Sequence, residues 1–314
     1  MTITVDMLCV GHGAGTLGAA VLAARRNMSV MYVDSLPGPR LSRVPDRPLS
    51  PWTRALADRW ELNALSPETR SYLTELTIDL AAPDAAAATG TPIPVMDLDR
   101  QAPQRVLSSG AVPPFRGAQL RTWARQCLAA RTGLVSSQVW LPGTINARLL
   151  FGPEIEVTDI MSLPETGLSA ADLDDWLLDH AREHRVQIGG MGLRELLFQD
   201  GHPAGAIIDG PTGRRVVWTR HGVMLGTGSV SAPTELSRPS VQLPAGTRLC
   251  LVSRYASRFY QLELVRDQDL PSSHRPTCRN LPRSARQHRN RLVHRGCDVS
   301  RPRRWQLSHR RGNL

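Results

Sequence analysis

The stretch Val5–Asp34, VDMLCVGHGAGTLGAAVLAARRNMSVMYVD, carries the pattern that decides the fold. Residues 5–10 form a short apolar run, and apolar residues recur at helical spacing within Thr16–Asn27. A glycine-rich turn separates these segments, and Ser29–Asp34 predicts a second strand. The order of strand, glycine-rich turn, helix and strand predicts the α/β fold class, with a Rossmann-like dinucleotide-binding domain.

The turn Gly11-His12-Gly13-Ala14-Gly15-Thr16 is the candidate phosphate-binding loop. Gly11 permits a tight turn, and Gly13 lets the backbone approach a diphosphate at the N-terminal end of the helix. Thr16 stands where a third glycine usually brings helix and strand together, so we expect its side chain to separate them. The alternative is a glycine-rich turn in an ordinary α/β domain.

Asp34 ends the second predicted strand. A carboxylate about twenty residues after the glycines accepts hydrogen bonds from the adenosine ribose in dinucleotide-binding domains. The same carboxylate disfavours a 2′-phosphate, so the sequence favours FAD or NAD over NADP.

A second glycine-rich turn follows a buried strand much later in the chain. The strand begins at Gly222 and runs directly into Gly226-Thr227-Gly228, which suits another close approach of backbone to ligand. The periodicity before it predicts a helix, short strands and a small antiparallel meander. We expect that helix to begin at Ser169-Ala-Ala-Asp172, which resembles a capping box, and to end near His184. An earlier helix is expected at about residues 67–80, with Ser66 as its cap.

These features resemble the FAD-dependent oxidoreductases of the fumarate reductase and succinate dehydrogenase flavoprotein type, which include the ketosteroid dehydrogenases. The resemblance returns over Ser169–Ser231, where those proteins have a helix, a strand pair and a meander. The residues that fall in the family's N-terminal register without a gap are Asp6, Gly11, Gly13, Leu17, Ala19, Ala20 and Asp34.

The resemblance implies FAD as the cofactor and assigns further residues to its binding. Leu193 would offer its backbone to the adenine, and Gly226-Thr227-Gly228 would approach the diphosphate and ribityl region. The family has another phosphate-binding segment after the ribose acid, for which this sequence offers Gly38 and Ser42. The implied reaction passes a hydride between flavin and a small organic substrate such as an enone, a steroid or a dicarboxylate.

The sequence identifies no catalytic residue, because the family's catalytic Arg, Tyr or His and its final glycine-rich segment are not recognisable. A truncated or frameshifted chain accounts for that, and a noncatalytic remnant is therefore one alternative. An NAD-linked reductase is another. Residues 1–48 and 167–246 are predicted to form the dinucleotide-binding domain, residues 49–166 an inserted substrate-side region, and residues 247–314 an Arg-rich, disordered tail.

The charge of the chain lies in that tail. Of 38 basic and 28 acidic residues, 12 Arg and one Asp fall between Pro271 and Leu314, which leaves 26 basic and 27 acidic residues before it. Such a tail suits a nucleic-acid-binding arm, but no recognition motif accompanies it, and an out-of-frame translation is favoured. A nucleic-acid partner is thus the minor alternative to a small-molecule substrate.

Several classes of protein are disfavoured by what the sequence lacks. It has no long uncharged apolar run and no signal peptide, so we expect a cytoplasmic protein without a membrane partner. The five cysteines are scattered, which supports neither a disulfide framework nor a zinc site. His180 and His184 lie four residues apart, but without an HExxH pattern a solvated helix face is favoured over a metal pair. The oligomeric state is not indicated.

Overall fold

The computed structural model describes residues 1–34, 49–60, 62, 65–81, 93–100, 102, 105–106, 117–139, 141–150, 152–189, 192–210, 213–228 and 241–268. The chain divides into the units Met1–Leu270 and Pro271–Leu314, and all described residues belong to the first. The predictions for Ser42 and for residues 269–314 therefore lie outside the described residues.

Helices and strands follow the predicted order closely at the N-terminus. The described helices are α1 (Ala14–Arg25), α2 (Pro51–Arg59), α3 (Pro67–Thr77), α4 (Gly117–Ala129) and α5 (Leu173–Glu183). The described strands are β1 (Thr2–Val10), β2 (Val30–Val33), β3 (Val95–Asp99), β4 (Arg105–Val106), β5 (Gly133–Ser136), β6 (Ile145–Arg148), β7 (Glu154–Ser162), β8 (Leu168–Ser169), β9 (Gln187–Gly189), β10 (Gly192–Gln199), β11 (His202–Gly210), β12 (Gly213–Gly226), β13 (Gln242–Leu243), β14 (Arg248–Ser253) and β15 (Phe259–Gln268).

The predicted β-α-β unit is confirmed. β1 pairs in parallel with both β2 and β12, and β2 pairs in parallel with β9, so four parallel strands run in the order β12-β1-β2-β9. In this register Val10 lies between Leu225 and Val33. The strand ends therefore bring Gly11, Asp34 and Gly226 to one edge of the sheet, where ligands bind in open α/β sheets.

An antiparallel half continues the sheet beyond β12. β5 pairs with β12, and the path then runs through β15, β14, β7, β6 and β4, while β3 joins β15 in parallel. The meander of β10 and β11 pairs with the first part of β12. A small separate pair joins β8 to β13.

The predicted boundary of the tail at residue 247 is wrong. Residues 248–253 and 259–268 are β14 and β15, which pair with each other and extend the main sheet. Acidic and basic residues such as Glu263 and Arg266 obscured the apolar alternation in β15. β5 likewise lies within the predicted insertion but pairs directly with β12.

The sheet lies between two apolar layers. Met7 and Cys9 of β1 pack in one cluster with α1 and α5, whereas Leu8 and Val10 pack in another with α2, α3 and α4. This alternation follows from the two-residue period of a strand. The small and apolar residues of α1 are almost all buried, which agrees with its central position on the sheet.

The helix starts show one correct and one wrong prediction. Ser66 caps α3 as expected, because its Oγ accepts a hydrogen bond from the backbone N–H of Thr69 at 3.2 Å. Ser169 does not cap α5, since it belongs to β8 and its Oγ accepts from the N–H of Ala171 at 3.1 Å. The N-cap of α5 is Asp172, which makes no capping hydrogen bond through its side chain.

None of the helices in the described ranges is both long and apolar enough to cross a bilayer.

Candidate dinucleotide site

The glycine-rich loop joins β1 to α1 at the edge of the parallel strands. Gly11 has a φ of 130°, and its N–H donates to the carbonyl of Val33 at 3.0 Å, which ties the loop to the end of β2. Gly13 is the N-cap of α1 with a φ of 93°, and its carbonyl accepts from Leu17 N–H at 3.1 Å. Both positive φ values favour glycine because a Cβ would be strained there.

Gly11 and Gly226 meet where the loop crosses the end of β12. A Cβ on Gly11 would lie 3.0 Å from the Cα of Gly226, and a Cβ on Gly226 would lie 2.3 Å from Oγ1 of Thr16. The side chain of Thr16 therefore occupies the space that the missing side chain of Gly226 leaves open. Thr16 is 1% exposed, and its Oγ1 has no hydrogen-bond partner among the residues that the structure describes.

Asp34 follows β2 and lies beside the loop, as the spacing predicts. Its Oδ1 is 2.8 Å from Nδ1 of His12, and the side chains of the two residues are 32% and 40% exposed, respectively. The hydrogen bond with Asp34 raises the pKa of His12, against the opposing effect of burial. Burial chiefly raises the pKa of Tyr32, and the nearby carboxylates of Asp34 and Asp174 add to this.

Asp174 is a site residue that sequence reasoning missed. It lies in the first turn of α5, as predicted, but it also reaches the start of α1. Its Oδ2 is 3.8 Å from the position of a Cβ on Gly13, and its carboxylate accepts a hydrogen bond from the N–H of Ala14. Burial raises the pKa of Asp174, whereas His12 and Arg131 oppose that change. The packing of α5 on α1, which brings Asp174 here, leaves no local signal in the sequence.

The residues Gly226 and Thr227 of the second glycine-rich turn make hydrogen bonds within the protein. The indole N–H of Trp60 donates to the carbonyl of Gly226 at 2.6 Å. Thr227 donates its N–H to Gly133 O at 2.9 Å and its hydroxyl to Cys127 O at 2.7 Å. Gly226 is therefore packed against Thr16 and Gly11, and any contact of Gly226, Thr227 or Gly228 with a ligand stays a prediction.

Leu193 lies on β10 and is buried in the same cluster as Val10 and Val33, so its side chain is part of the core. Its predicted backbone contact with adenine stays a prediction. Over the described ranges, no group of three His, Cys, Asp or Glu side chains has an arrangement that could hold a metal ion. His180 pairs with Glu183 at 2.8 Å, and its ring packs edge-on against Trp176.

No protein-family model matches the sequence, and no curated protein matches it either. Among solved structures, the chain is similar to a geranylgeranyl bacteriochlorophyll reductase-like protein from Thermoplasma acidophilum, with 14% identity, a TM-score of 0.26, and coverage of 70% of this chain and 38% of that one. It is similar to the 3-ketosteroid-Δ4-(5α)-dehydrogenase from Rhodococcus jostii, with 18% identity, a TM-score of 0.28, and coverage of 76% and 51%. It is also similar to aklavinone-11 hydroxylase in complex with FAD and aklavinone, with 20% identity, a TM-score of 0.25, and coverage of 68% and 31%.

The chain thus spans between 31% and 51% of the length of these three proteins. Because the TM-scores are this low, the likeness assigns no ligand and no activity to the chain. Any assignment of a ligand therefore depends on the geometry of the glycine-rich loop and of the residues around it.

Proposed function

We propose that the chain binds FAD through the ADP half of the cofactor and belongs to an oxidoreductase. The substrate would be a small organic molecule such as an enone, a steroid or a dicarboxylate, as the family resemblance implies. When bound, the flavin supplies the hydride chemistry, and the protein supplies binding and orientation. Gly13 and the first N–H groups of α1 would hold the diphosphate, and Asp34 would accept hydrogen bonds from the ribose.

One observation carries this proposal: the glycine-rich loop, Asp34 and the strand end at Gly226 lie together at the carboxyl ends of neighbouring parallel strands. Gly11 lies in backbone contact with Gly226, and Asp34 lies beside His12 of the same loop. A Cβ on Gly13 would clash with no atom, because the nearest one, Oδ2 of Asp174, would lie in ordinary van der Waals contact at 3.8 Å. These residues fit the ADP half of a dinucleotide.

The choice of FAD over NAD depends on the resemblance and on the turn at Gly226, which lies against the first glycine loop. Both cofactors contain ADP, so the two hypotheses share the same loop and differ in the second half of the ligand. A chain that binds NAD and ADP but retains no flavin would favour the NAD-linked reductase.

The first experiment is incubation of the full chain with FAD, removal of excess ligand, and measurement of visible absorbance. We expect a yellow protein, and ADP should compete with FAD in a calorimetric titration. A protein that stays colourless and takes up neither FAD nor ADP would contradict the proposal.

Two glycine variants test whether ADP binds at the glycine-rich loop. Gly13→Ala would point a methyl group toward the diphosphate, so we expect ADP affinity to fall by about tenfold or more. Gly213→Ala is the matched control, because Gly213 has a similar φ of 98° and no atom within 4 Å of its Cβ position. The control carries the same backbone strain at a distance from the loop, and its ADP affinity should equal that of the wild type.

A further inference from the structure

The N-terminus of α1 already has an anionic partner in this structure. The helix begins at Ala14, and its N-cap residue, Gly13, has no side chain with which to cap it. The free N–H groups of such a terminus attract anions. The group that meets them comes from another helix, since Asp174 of α5 accepts the N–H of Ala14.

Asp174 lies on the side of Gly13 where a diphosphate would be expected. The second glycine of a dinucleotide loop is required because a Cβ there would point into the diphosphate. In this chain the nearest atom to that Cβ position is Oδ2 of Asp174, at 3.8 Å. The carboxylate therefore lies over Gly13, on the side from which a phosphate would approach.

Asp34, the residue expected to bind the ribose, also has a partner within the chain. Oδ1 of Asp34 lies 2.8 Å from Nδ1 of His12, so a ribose hydroxyl would have to compete with the imidazole ring. A buried hydroxyl, Oγ1 of Thr16, lies beneath the loop without a hydrogen-bond partner in the described part of the chain. The carboxylates of Asp34 and Asp174 both act to raise the pKa of the His12 imidazole.

From this arrangement we infer that Asp174 is an internal substitute for a phosphate and sets the affinity of the loop for ADP-containing ligands. The inference rests on the proposed function. A dinucleotide binds by displacing the Asp174 carboxylate from Ala14 N–H, because two anions cannot share one helix terminus without strong repulsion. Displacement leaves the Arg131 guanidinium and the imidazole of His12, which now lower the pKa of Asp174, available to the incoming diphosphate.

The charges around Asp174 determine how this competition varies with pH. His12 and Arg131 favour its ionised form, whereas burial and the neighbouring carboxylate of Asp175 favour the neutral form, and burial dominates. The pKa of Asp174 is consequently raised. As the pH falls from neutral toward this raised pKa, the carboxylate is neutralised and its competition with a phosphate weakens. ADP affinity should therefore rise as Asp174 is neutralised.

The test compares Asp174→Asn with Asp175→Asn in calorimetric titrations with ADP and with FAD at neutral and mildly acidic pH. Asp175 is the matched control, because it lies in the same helical turn and its side chain is exposed. We expect Asp174→Asn to bind ADP about tenfold more tightly than the wild type at neutral pH, and this difference should shrink as the pH falls. Asp175→Asn should keep the wild-type affinity at neutral pH.

Each outcome decides between the two proposals. Equal ADP affinity and equal pH profiles for the wild type and Asp174→Asn would overturn this inference and leave FAD binding intact. Failure of the wild type and both variants to bind ADP would overturn the proposed function together with the inference. If Asp174→Asn does not fold, Asp174→Ala replaces it, and an ADP affinity equal to that of the wild type would overturn the inference.

Discussion

The glycine-loop edge and the antiparallel half of the sheet each hold a carboxylate shielded from water, half-buried at Asp174 and fully buried at Glu263, and the surroundings of the two differ. Asp174 at the loop edge accepts a backbone N–H and lies near His12 and Arg131. Glu263 on β15 is 1% exposed, and its Oε2 has no hydrogen-bond partner within the described residues. Burial raises the pKa of Glu263 to about 7, with Arg254 opposing the change. Burial thus raises the pKa of both acids, but at Asp174 the interactions with His12, Arg131 and the N–H of Ala14 oppose the rise, whereas at Glu263 the opposing charge is that of Arg254.

The largest expected effect concerns Glu263. The pKa rises from 4.5 to about 7 on folding, so its contribution to stability is complete below about 4.5 and is lost as the pH rises through about 7. At 1.36 kcal/mol per pKa unit, the loss is about 3 kcal/mol. Glu263→Gln should abolish this loss, and urea unfolding at a pH below about 4.5 and at a pH above about 7 measures it.

Glu154→Gln is the control for that experiment, because Glu154 is an exposed acid on strand β7. It should leave the pH dependence of the unfolding free energy unchanged. If Glu263→Gln retained the full wild-type loss of stability above neutral pH, the contrast between the two carboxylates would be wrong.

The second effect concerns the contact between Thr16 and Gly226. Gly226→Ala would place a methyl group 2.3 Å from Oγ1 of Thr16, so we expect a loss of about 1–3 kcal/mol in the free energy of unfolding. In a Thr16→Gly background the same substitution should cost much less, because the competing side chain is gone. A double-mutant cycle with chemical denaturation measures this coupling. Additive effects would contradict the idea that Thr16 uses the space beside Gly226.

The smallest effect concerns the pair of His12 and Asp34. The pKa of His12 is raised in the folded chain, so the stability from this pair is present below the ordinary pKa of histidine and decreases as the pH rises through the folded value. NMR titration of the imidazole should show the raised pKa, and Asp34→Asn should lower it toward the ordinary value. A His12 pKa that is unchanged in Asp34→Asn would contradict the hydrogen bond as its main cause.

The same two regions differ in how far the sequence predicts them. Around Gly11 and Asp34 each element follows directly from its neighbours, because a strand, a tight turn, a helix and a carboxylate occur at fixed local spacing. In the antiparallel half, the pairing of β15 with β5 joins residues more than a hundred positions apart. Periodicity within β15 cannot reveal that pairing, and its charged residues suggested a solvated tail instead.

The sequence by itself determined the β1-α1-β2 unit, the glycine-rich loop, the position of Asp34 and the cap at Ser66, because these depend on backbone preferences and spacings within one short segment. Only the tertiary structure placed Asp174 over Gly13, paired His12 with Asp34, seated Thr16 against Gly226 and brought β14 and β15 into the sheet. Those features depend on how distant segments pack and on which charges are thereby buried together. A linear pattern of residue types does not record such distances.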